Sequence, residues 1–214
     1  MFDLSFSPTL FSQHFTSTFV GAEELTANEK LLTGTFSNKR LKDFSTGRFC
    51  ARKALAQIGY GPDDILMGDD KQPLWPSGTI GSISHSKYLT GAVVGLASQF
   101  RSIGLDVETM GKITAEMWRM LYTETEQDFL NSCPYQDLAY YTTLLFSFKE
   151  SFYKLQFPLT HTFLEFTDVE VAFTNQKFQL KVLKQFPGIE LLPESIPLFY
   201  RQDNEEVITL CYLY

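Results

Sequence analysis

Two carboxylates, Asp106 and Glu108, lie two residues apart in the segment Ile103-Gly-Leu-Asp106-Val-Glu108. The apolar and β-branched residues of this segment predict a strand, and residues two apart in a strand project from the same face. Two like charges in one space favour a hard divalent cation such as Mg2+, which proteins bind through one or two carboxylates together with phosphate oxygens and water. The alternative is that both carboxylates lie at a solvated strand end and bind no metal, because the spacing Asp-x-Glu is common in proteins.

A third carboxylate, Glu150, lies on a long helix predicted over Leu138 to Leu155 and closed by Pro158. Glu150 and Lys154 are four residues apart and therefore share one face of this helix. The alternative is a surface ion pair beside a stripe of core aromatic residues. The large apolar neighbours of Glu150 argue against a fully solvated pair. Together with the strand pair, Glu150 would complete a metal site.

Groups that could bind phosphate lie in three other segments. The segment Gly81-Ser-Ile-Ser84-His85-Ser86 ends a predicted strand in hydroxyl groups and an imidazole. Arg48 and Arg52 are spaced to present two guanidinium groups on one helix face, and Lys71 lies in a proline-rich loop. A serine-rich turn and a solvated helix face are the respective alternatives.

Missing motifs argue against two kinds of active site. The sequence contains no G-x-S-x-G segment, so the adjacent serine and histidine do not indicate a hydrolase triad. It also contains no glycine-rich phosphate loop, which argues against a P-loop nucleotide site and a Rossmann dinucleotide site.

The composition is that of a globular chain. It has 214 residues, of which 44% are hydrophobic and 20% charged. The formal net charge of -7 argues against general binding of nucleic acid or of anionic membranes. The 3 cysteines are widely spaced, which argues against a disulfide framework and a zinc ribbon. No signal-peptide pattern and no apolar run long enough to span a bilayer is present, so we expect a cytoplasmic protein.

Short strands and helical blocks alternate along the chain and must position these groups. Helices are predicted from Thr26 to Ile58 and from Gly111 to Leu155, with capping-box spacing in Thr26-Ala-Asn-Glu29 and in Thr123-Glu-Thr-Glu126. Strands are predicted near the N-terminus, over 82–84, 91–97 and 103–107, and as an antiparallel meander over 169–173, 178–183, 196–200 and 207–212. This succession favours an α+β fold and is compatible with two similar halves, residues 1–102 and 103–214.

Three motifs, in this order and at this separation, resemble the signature of the 4'-phosphopantetheinyl transferases of the monomeric, pseudo-dimeric class. They are Ser82-Ile-Ser84-His85, Ile103-Gly-Leu-Asp106-Val-Glu108 and Phe146-Ser-Phe-Lys149-Glu150-Ser-Phe-Tyr-Lys154. The segments Gly47-Arg-Phe-Cys-Ala-Arg52 and Lys71-Gln-Pro-Leu-Trp-Pro are similar to the enterobactin-synthase type, which serves siderophore assembly lines. The resemblance covers residues 40–154.

This resemblance implies a fold and a reaction. The fold consists of two similar α+β halves packed as a pseudo-dimer, with coenzyme A and Mg2+ bound in the cleft between them. The reaction moves the 4'-phosphopantetheine arm of coenzyme A to a serine hydroxyl of an apo acyl, peptidyl or aryl carrier protein. The product that leaves is 3',5'-adenosine bisphosphate, and the expected enzyme is a monomer that serves siderophore or related secondary metabolism.

The resemblance also implies roles for residues, position by position. Asp106, Glu108 and Glu150 match the Mg2+ ligands, and Lys154 matches the lysine beside the pyrophosphate. The positions that match coenzyme A contacts are Arg48, Ser84 and His85, followed by Arg52 and Lys71. Given those positions, Lys154 can neutralise the leaving bisphosphate, and Glu150 or a metal-held water can take the serine proton. Glu150 is the base that we expect.

Two other functions stay open. A catalytically inactive chain could bind coenzyme A or a carrier protein as a partner, although the retention of all three carboxylates and Lys154 argues against it. A general Mg2+-dependent phosphate-ester enzyme would be distinguished by whether coenzyme A, rather than simple nucleotides, raises the melting temperature. We expect the segment from Met110 to Leu121 to receive the carrier protein, with a place in the core as the alternative.

Overall fold

The computed structural model describes residues 11–61, 63–174 and 177–214. The chain divides into two compact units, one of residues 1–103 together with Tyr214, and one of residues 104–213. Each unit combines a long helix with a three-stranded sheet and a small two-stranded sheet. The predicted α+β class is therefore confirmed.

The first unit packs a helix on a three-stranded sheet of order β1-β5-β4, in which both strand pairs are antiparallel. Its elements are β1 (Ser12–Thr16), α1 (Ala27–Leu31), α2 (Asn38–Gln57), β2 (Leu66–Met67), β3 (Pro73–Leu74), β4 (Thr79–His85) and β5 (Thr90–Leu96). Strands β2 and β3 form a short hairpin inside the stretch that was predicted to be a loop. The part of the predicted N-terminal strands that falls on residues 1–10 lies outside the described residues.

Small side chains let α2 lie close to its sheet. Cys50, Ala51 and Ala54 are fully buried and pack against Ala92 and Val94 of β5. The helix begins after Ser37, whose side chain accepts a hydrogen bond from the Arg40 N–H at 3.2 Å. The packing of these small side chains against β5 fixes the orientation of α2 and with it the position of Arg48 and Arg52.

The second unit contains a sheet of order β6-β10-β9 and a separate hairpin of β7 and β8. Its elements are β6 (Ser102–Thr109), α3 (Trp118–Leu121), α4 (Glu124–Ser132), α5 (Tyr135–Thr160), β7 (Val169–Thr174), β8 (Lys177–Val182), β9 (Leu198–Asp203) and β10 (Glu206–Leu213). The first two residues of β6 belong to the first unit. The predicted four-stranded meander is confirmed in part: β7 pairs with β8 and β9 pairs with β10, both antiparallel, and an isolated antiparallel bridge joins Leu180 of β8 to Ile196. It is wrong in its sheet, because β9 and β10 belong to the sheet of β6.

Helix α5 is longer than the sequence predicted. It contains 26 residues, and Pro158 lies inside its last turn. The predicted end at Pro158 is wrong because a proline there removes only one hydrogen bond close to the helix terminus. The helix ends where His161 adopts a left-handed conformation and donates its N–H to the Phe157 carbonyl at 2.9 Å. Within the described residues, no helix has the length and apolar character needed to cross a membrane.

A glycine in β6 allows α5 to lie directly on the sheet. A Cβ atom added at Gly104 would overlap the carbonyl oxygen of Ser151 and lie 2.9 Å from the Leu155 nitrogen. The Gly104 carbonyl accepts a hydrogen bond from the Cys211 thiol, 3.8 Å away, on β10. The absence of a side chain at residue 104 therefore sets the separation of α5 from β6.

Substituting alanine for Gly104 should push α5 away from β6. We expect Gly104→Ala to lower the free energy of unfolding by about 1–3 kcal/mol, the usual cost of overpacking a core. The matched control is Gly34→Ala, because no atom lies within 4 Å of a Cβ at that position and its φ is not positive. Urea denaturation of both variants measures the difference, and equal effects would contradict the close-contact explanation.

Candidate active site

The two elements that meet at Gly104 also carry the predicted catalytic groups. Asp106 and Glu108 lie on β6, while Glu150 and Lys154 lie on α5. The charge of Asp106 acts on both glutamates, and the charge of Lys154 acts on both as well. The second unit thus brings the three predicted carboxylates and the predicted lysine within electrostatic reach of one another.

Asp106 is the most deeply buried of these charged groups, with 2% of its surface exposed. Its Oδ1 accepts a hydrogen bond from the Lys154 ammonium at 2.7 Å, and its Oδ2 accepts one from the Ser147 hydroxyl at 2.8 Å. Both carboxylate oxygens are therefore held by groups from α5. A charge-assisted pair at this depth is screened less by solvent than a surface pair would be.

Glu108 holds a proton more tightly than an ordinary glutamate. Burial and, to a smaller extent, the negative charge of Asp106 raise its pKa from 4.5 to about 7. Lys112 and Lys154 act in the opposite direction, with the Lys112 ammonium 3.2 Å from the Glu108 Oε2. Near neutral pH the Glu108 carboxyl group is therefore protonated in part of the molecules and ionised in the rest. A bound cation would favour the ionised form.

Glu150 lies beside a pocket of about 320 Å³ in the second unit. Burial raises the pKa of Glu150, Lys154 lowers it and Asp106 raises it. The walls of the pocket are mostly aromatic and aliphatic. They are formed by Lys149, Glu150, Phe152, Tyr153, Phe163, Leu164, Glu165, Phe166 and Val169. A proton-accepting carboxylate thus borders a pocket suited to a largely apolar group.

The carboxylate oxygens of Asp106, Glu108 and Glu150 are the groups of the second unit that could hold a metal ion. In residues 11–61, 63–174 and 177–214, no group of three or more His, Cys, Asp or Glu side chains is arranged to hold one. The predicted set of Asp106, Glu108 and Glu150 is therefore not a preassembled cage. Its chemistry nevertheless fits Mg2+, because this ion takes oxygen ligands, needs only one or two carboxylates and completes its shell with water and phosphate. A bound cation would lower the raised pKa values of both glutamates, because its positive charge favours the ionised carboxylates.

A buried ion pair that the sequence analysis missed holds α5 in place. Lys149 is 2% exposed, and its ammonium donates to the Glu126 carboxylate at 2.6 Å and to the carbonyls of Leu121 and Phe166 at 2.9 and 2.8 Å. Glu126 also accepts from the Val171 N–H at 2.7 Å. Burial lowers the pKa of Lys149 and raises that of Glu126, and their mutual attraction opposes both shifts.

This pair was not expected because Glu126 has a simpler role that the sequence predicts. Thr123 and Glu126 form the expected capping box of α4, and this prediction is confirmed. The only signal for the additional role was a lysine inside an apolar run, since a buried lysine needs a partner. All three ammonium hydrogens have acceptors, so Lys149 fixes the rotation of α5 and with it the direction of the neighbouring Glu150.

In the first unit, Arg48 has internal partners. It is 6% exposed, and its guanidinium donates to the carbonyls of Ile65 and Leu66 at 2.6 and 3.2 Å while lying over the Phe44 ring. Burial lowers the pKa of Arg48 to about 10. The alternative of a solvated helix face is therefore wrong for this residue, and its predicted phosphate contact stays a prediction.

Arg52 is also held inside the first unit. One guanidinium nitrogen lies 2.8 Å from each Glu29 oxygen, and another bonds the Glu24 carbonyl. Glu29 is fully buried and accepts a further hydrogen bond from the Ile65 N–H at 3.0 Å. These contacts give Arg52 a structural role that the sequence analysis did not foresee, and its predicted coenzyme contact stays a prediction.

The remaining predicted phosphate contacts lie at the end of β4 and in the β2–β3 turn. Ser84 is 5% exposed, and His85 ends the strand with its Nδ1 3.8 Å from the Asp43 carboxylate of α2. Lys71 is exposed and adopts a left-handed backbone conformation in the turn. Both His85 and Lys71 therefore offer polar groups at the surface of the first unit.

Two family descriptions match the chain, one for each part. The 4'-phosphopantetheinyl transferase N-terminal domain matches residues 27–95. The 4'-phosphopantetheinyl transferase superfamily matches residues 102–211. The matched regions include every residue predicted for the site.

Curated relatives give the same indication. The chain is 36% identical over 135 residues to 4'-phosphopantetheinyl transferase Svp of Streptomyces mobaraensis, a match that covers 63% of this chain and 55% of the relative. It is 38% identical to PptT of Mycobacterium tuberculosis, covering 63% and 59%. It is 30% identical to enterobactin synthase component D of Salmonella typhimurium, covering 80% and 71%. The match thus spans somewhat over half the length of the first two relatives.

Among solved structures, the holo-[acyl-carrier-protein] synthase of Thermotoga maritima was found. It has a TM-score of 0.43 and 19% sequence identity, and the match covers 53% of this chain and 63% of the other. A likeness of this size carries no argument beyond those of the sequence comparisons.

The charge balance at Glu108 predicts a titration near neutral pH. In metal-free protein, the Glu108 carboxyl should titrate with a midpoint of about 7, measured by carbon NMR. Since the folded pKa exceeds the ordinary 4.5, this group's contribution to stability should decline as the pH rises from about 4.5 through about 7. Asp106→Asn should move the midpoint down, and Lys112→Met should move it up. A wild-type midpoint near 4.5 would contradict this account.

Proposed function

Because the chain belongs to the 4'-phosphopantetheinyl transferase superfamily, we propose that it moves the 4'-phosphopantetheine arm of coenzyme A to a serine of apo carrier proteins in an Mg2+-dependent reaction. The observation that carries this proposal is the buried Asp106–Lys154 pair, flanked by two carboxylates with raised pKa values. The carboxylates provide oxygen ligands for a cation beside a lysine, and a reaction at an anionic pyrophosphate requires such positive charge.

In this proposal, Asp106, Glu108 and Glu150 hold Mg2+. Bound there, the ion would stabilise the negative charge that develops on the bridging oxygen of the pyrophosphate as its bond to the pantetheine-side phosphorus breaks. The protein contributes the fixed position of the donors. Asp106 is held through both oxygens, and Glu150 follows a lysine whose ammonium is fully bonded in the core.

Lys154 supplies the positive charge for the leaving group. Its ammonium lies 2.7 Å from Asp106, and 28% of its side chain is exposed, so it is accessible to a ligand. When the serine oxygen bonds to phosphorus, the pyrophosphate linkage breaks and its electrons pass to 3',5'-adenosine bisphosphate. Lys154 donates a hydrogen bond to that departing phosphate oxygen and neutralises its charge.

Glu150 accepts the serine proton. Its pKa is raised by burial and by Asp106, which makes the carboxylate a stronger base than an exposed glutamate. The neighbouring pocket, which Phe152 and Tyr153 help to line, suits the pantetheine arm because the arm is a chain of methylene and methyl groups joined by amides. Substrate bound there would place its reacting phosphate close to Glu150.

The first unit carries the other residues that the sequence predicts to contact coenzyme A. We propose Ser84, His85 and Lys71 as phosphate contacts, since they combine hydroxyl, imidazole and ammonium donors. Arg48 and Arg52 could join them, because a guanidinium has five N–H donors and the internal bonds of Arg48 use two. This assignment rests on the position of these residues in the matched segments.

The proposed partners are apo acyl, peptidyl or aryl carrier proteins. The similarity to enterobactin synthase component D supports siderophore or related metabolism as the setting, and a cytoplasmic monomer is part of the same proposal. The proposed docking segment is divided: Met120 is 64% exposed, whereas Leu121 is buried and Met117 packs against the core. Exposed Met120 is therefore its strongest candidate for a carrier contact.

The proposal predicts a covalent gain of mass on a carrier protein. Incubation of an apo carrier protein with the chain, coenzyme A and Mg2+ should add one phosphopantetheine group, detected by intact mass spectrometry. Asp106→Ala and a chelator should each reduce the rate by about 100-fold or more. The exposed Asp128→Ala variant is the matched control and should retain the rate. If several unrelated carriers stayed unmodified while coenzyme A bound, a binding partner would be the better description.

The role of Glu150 as base has its own test. Glu150→Gln should lower kcat by about 100-fold or more even at saturating Mg2+, because the amide cannot accept the serine proton. Steady-state kinetics over a range of Mg2+ concentrations separate this effect from weaker metal binding. A variant that needs more Mg2+ but regains the wild-type kcat would show that Glu150 is a ligand and not the base.

A further inference from the structure

We infer that Ser147 and Thr209 form a buried hydroxyl chain that positions the Asp106 carboxylate, and that both are positioning residues for the Mg2+ site. The inference rests on the proposed function, since the Asp106 carboxylate is one of the proposed ligands. Neither hydroxyl belongs to the predicted site. Ser147 lies in the motif that contains Glu150 and Lys154, but the motif gives Ser147 itself no role. Thr209 lies outside all of the recognised motifs.

The three residues come from three different elements and meet in the interior of the second unit. Asp106 is on β6, Ser147 on α5 and Thr209 on β10. Both hydroxyl residues are 0% exposed. The Ser147 Oγ lies 2.8 Å from the Asp106 Oδ2 and 2.8 Å from the Thr209 Oγ1, and the Thr209 Oγ1 lies 2.8 Å from the Ser147 carbonyl oxygen.

The direction of these hydrogen bonds follows from the number of hydrogens. An ionised carboxylate can only accept, so the single hydroxyl hydrogen of Ser147 goes to Asp106. The Thr209 hydrogen must then go to an oxygen of Ser147, either its Oγ or its carbonyl. In both cases Thr209 is tied to Ser147, and the stiff χ1 angle of a β-branched residue on a strand restrains that contact.

The two hydroxyl groups restrain the Asp106 carboxylate without adding positive charge. The terminal torsion of an aspartate is broad, so a carboxylate held at one oxygen only can rotate. Lys154 holds Oδ1 from a partly exposed position, and Ser147 holds Oδ2 from a fully buried one. A second cation would compete with a metal ion for Asp106, whereas a neutral hydroxyl fixes the carboxylate plane and leaves its charge available.

The test uses hydroxyl-deleting variants of the full chain. Ser147→Ala and Thr209→Val remove the two hydroxyls with little change of shape, and Thr209→Ser keeps the hydroxyl while removing the methyl group. The matched control is Ser151→Ala, one turn further along α5, where the hydroxyl of an equally buried serine donates to the Phe148 carbonyl. Binding of Mn2+, which also takes oxygen ligands, is measured by electron paramagnetic resonance on metal-free protein. Thermal unfolding and the Mg2+ dependence of transfer are measured in parallel.

The inference predicts a specific loss of metal affinity. We expect Ser147→Ala to weaken Mn2+ binding by about 10- to 100-fold, the usual effect of removing a group that orients a ligand. Thr209→Val should weaken it by about 3- to 10-fold, since Thr209 acts through Ser147, and Thr209→Ser should keep the wild-type affinity. Combining the first two variants should add little to Ser147→Ala alone. For Ser147→Ala, kcat should return towards wild type at saturating Mg2+.

Other outcomes overturn the inference and identify which proposal has failed. If the wild type binds Mn2+ and transfers the arm while Ser147→Ala and Thr209→Val keep its affinity, the positioning role alone is wrong. An equal loss in Ser151→Ala would show a general effect of cavities in α5 and would overturn it as well. If the wild type neither binds Mn2+ nor transfers, the proposed function fails, and this inference fails with it. Should Ser147→Ala not fold, the Thr209 pair decides the question.

Discussion

The site depends on the contact between α5 and β6 at Gly104. Only a residue without Cβ lets the helix backbone come so close to a strand, because any other side chain would overlap the Ser151 carbonyl. At this separation a serine hydroxyl reaches the Asp106 carboxylate from one side and the Lys154 ammonium reaches it from the other. A hydroxyl is short and cannot compensate for a helix that lies further away. The chemistry of the second unit is therefore set by a backbone contact rather than by the charged groups themselves.

Two lysines on α5 show how environment separates structural from chemical roles. Lys149 and Lys154 are five positions apart in the sequence, so they lie on different faces of the helix. The Lys149 ammonium is enclosed by one carboxylate and two carbonyls, which leaves it no hydrogen to offer a ligand. Lys154 bonds Asp106 from a partly exposed position and can therefore also approach a substrate. The first lysine orients the helix, and the second is available for the proposed reaction.

Local patterns in the sequence were sufficient to predict the elements that carry the site. The strand with Asp106 and Glu108, the helix with Glu150 and Lys154, and both capping boxes follow from periodicity and spacing within a few residues, and the structure confirms them. The contacts that hold Asp106 were not predictable in this way. Ser147 and Thr209 are 41 and 62 residues from their respective partners Asp106 and Ser147 along the chain, and no local pattern reports such pairings. The arginines of α2 show the same limit, because their helical spacing predicted a common ligand but did not indicate the internal partner that each of them has.

The segment between α2 and β4 is anchored to the rest of the first unit, and this anchoring affects the entropy of ligand binding. Arg48 holds the carbonyls of Ile65 and Leu66, and Glu29 holds the Ile65 N–H, so the start of the β2–β3 hairpin is fastened to α2 and α1 at three backbone groups. The turn with Lys71 is closed by its own hydrogen bond to Gly68. Its backbone is thus ordered during folding, before any ligand arrives. A phosphate that meets Lys71 would need to immobilise one flexible side chain and not a whole loop, and the entropy lost on association is correspondingly smaller.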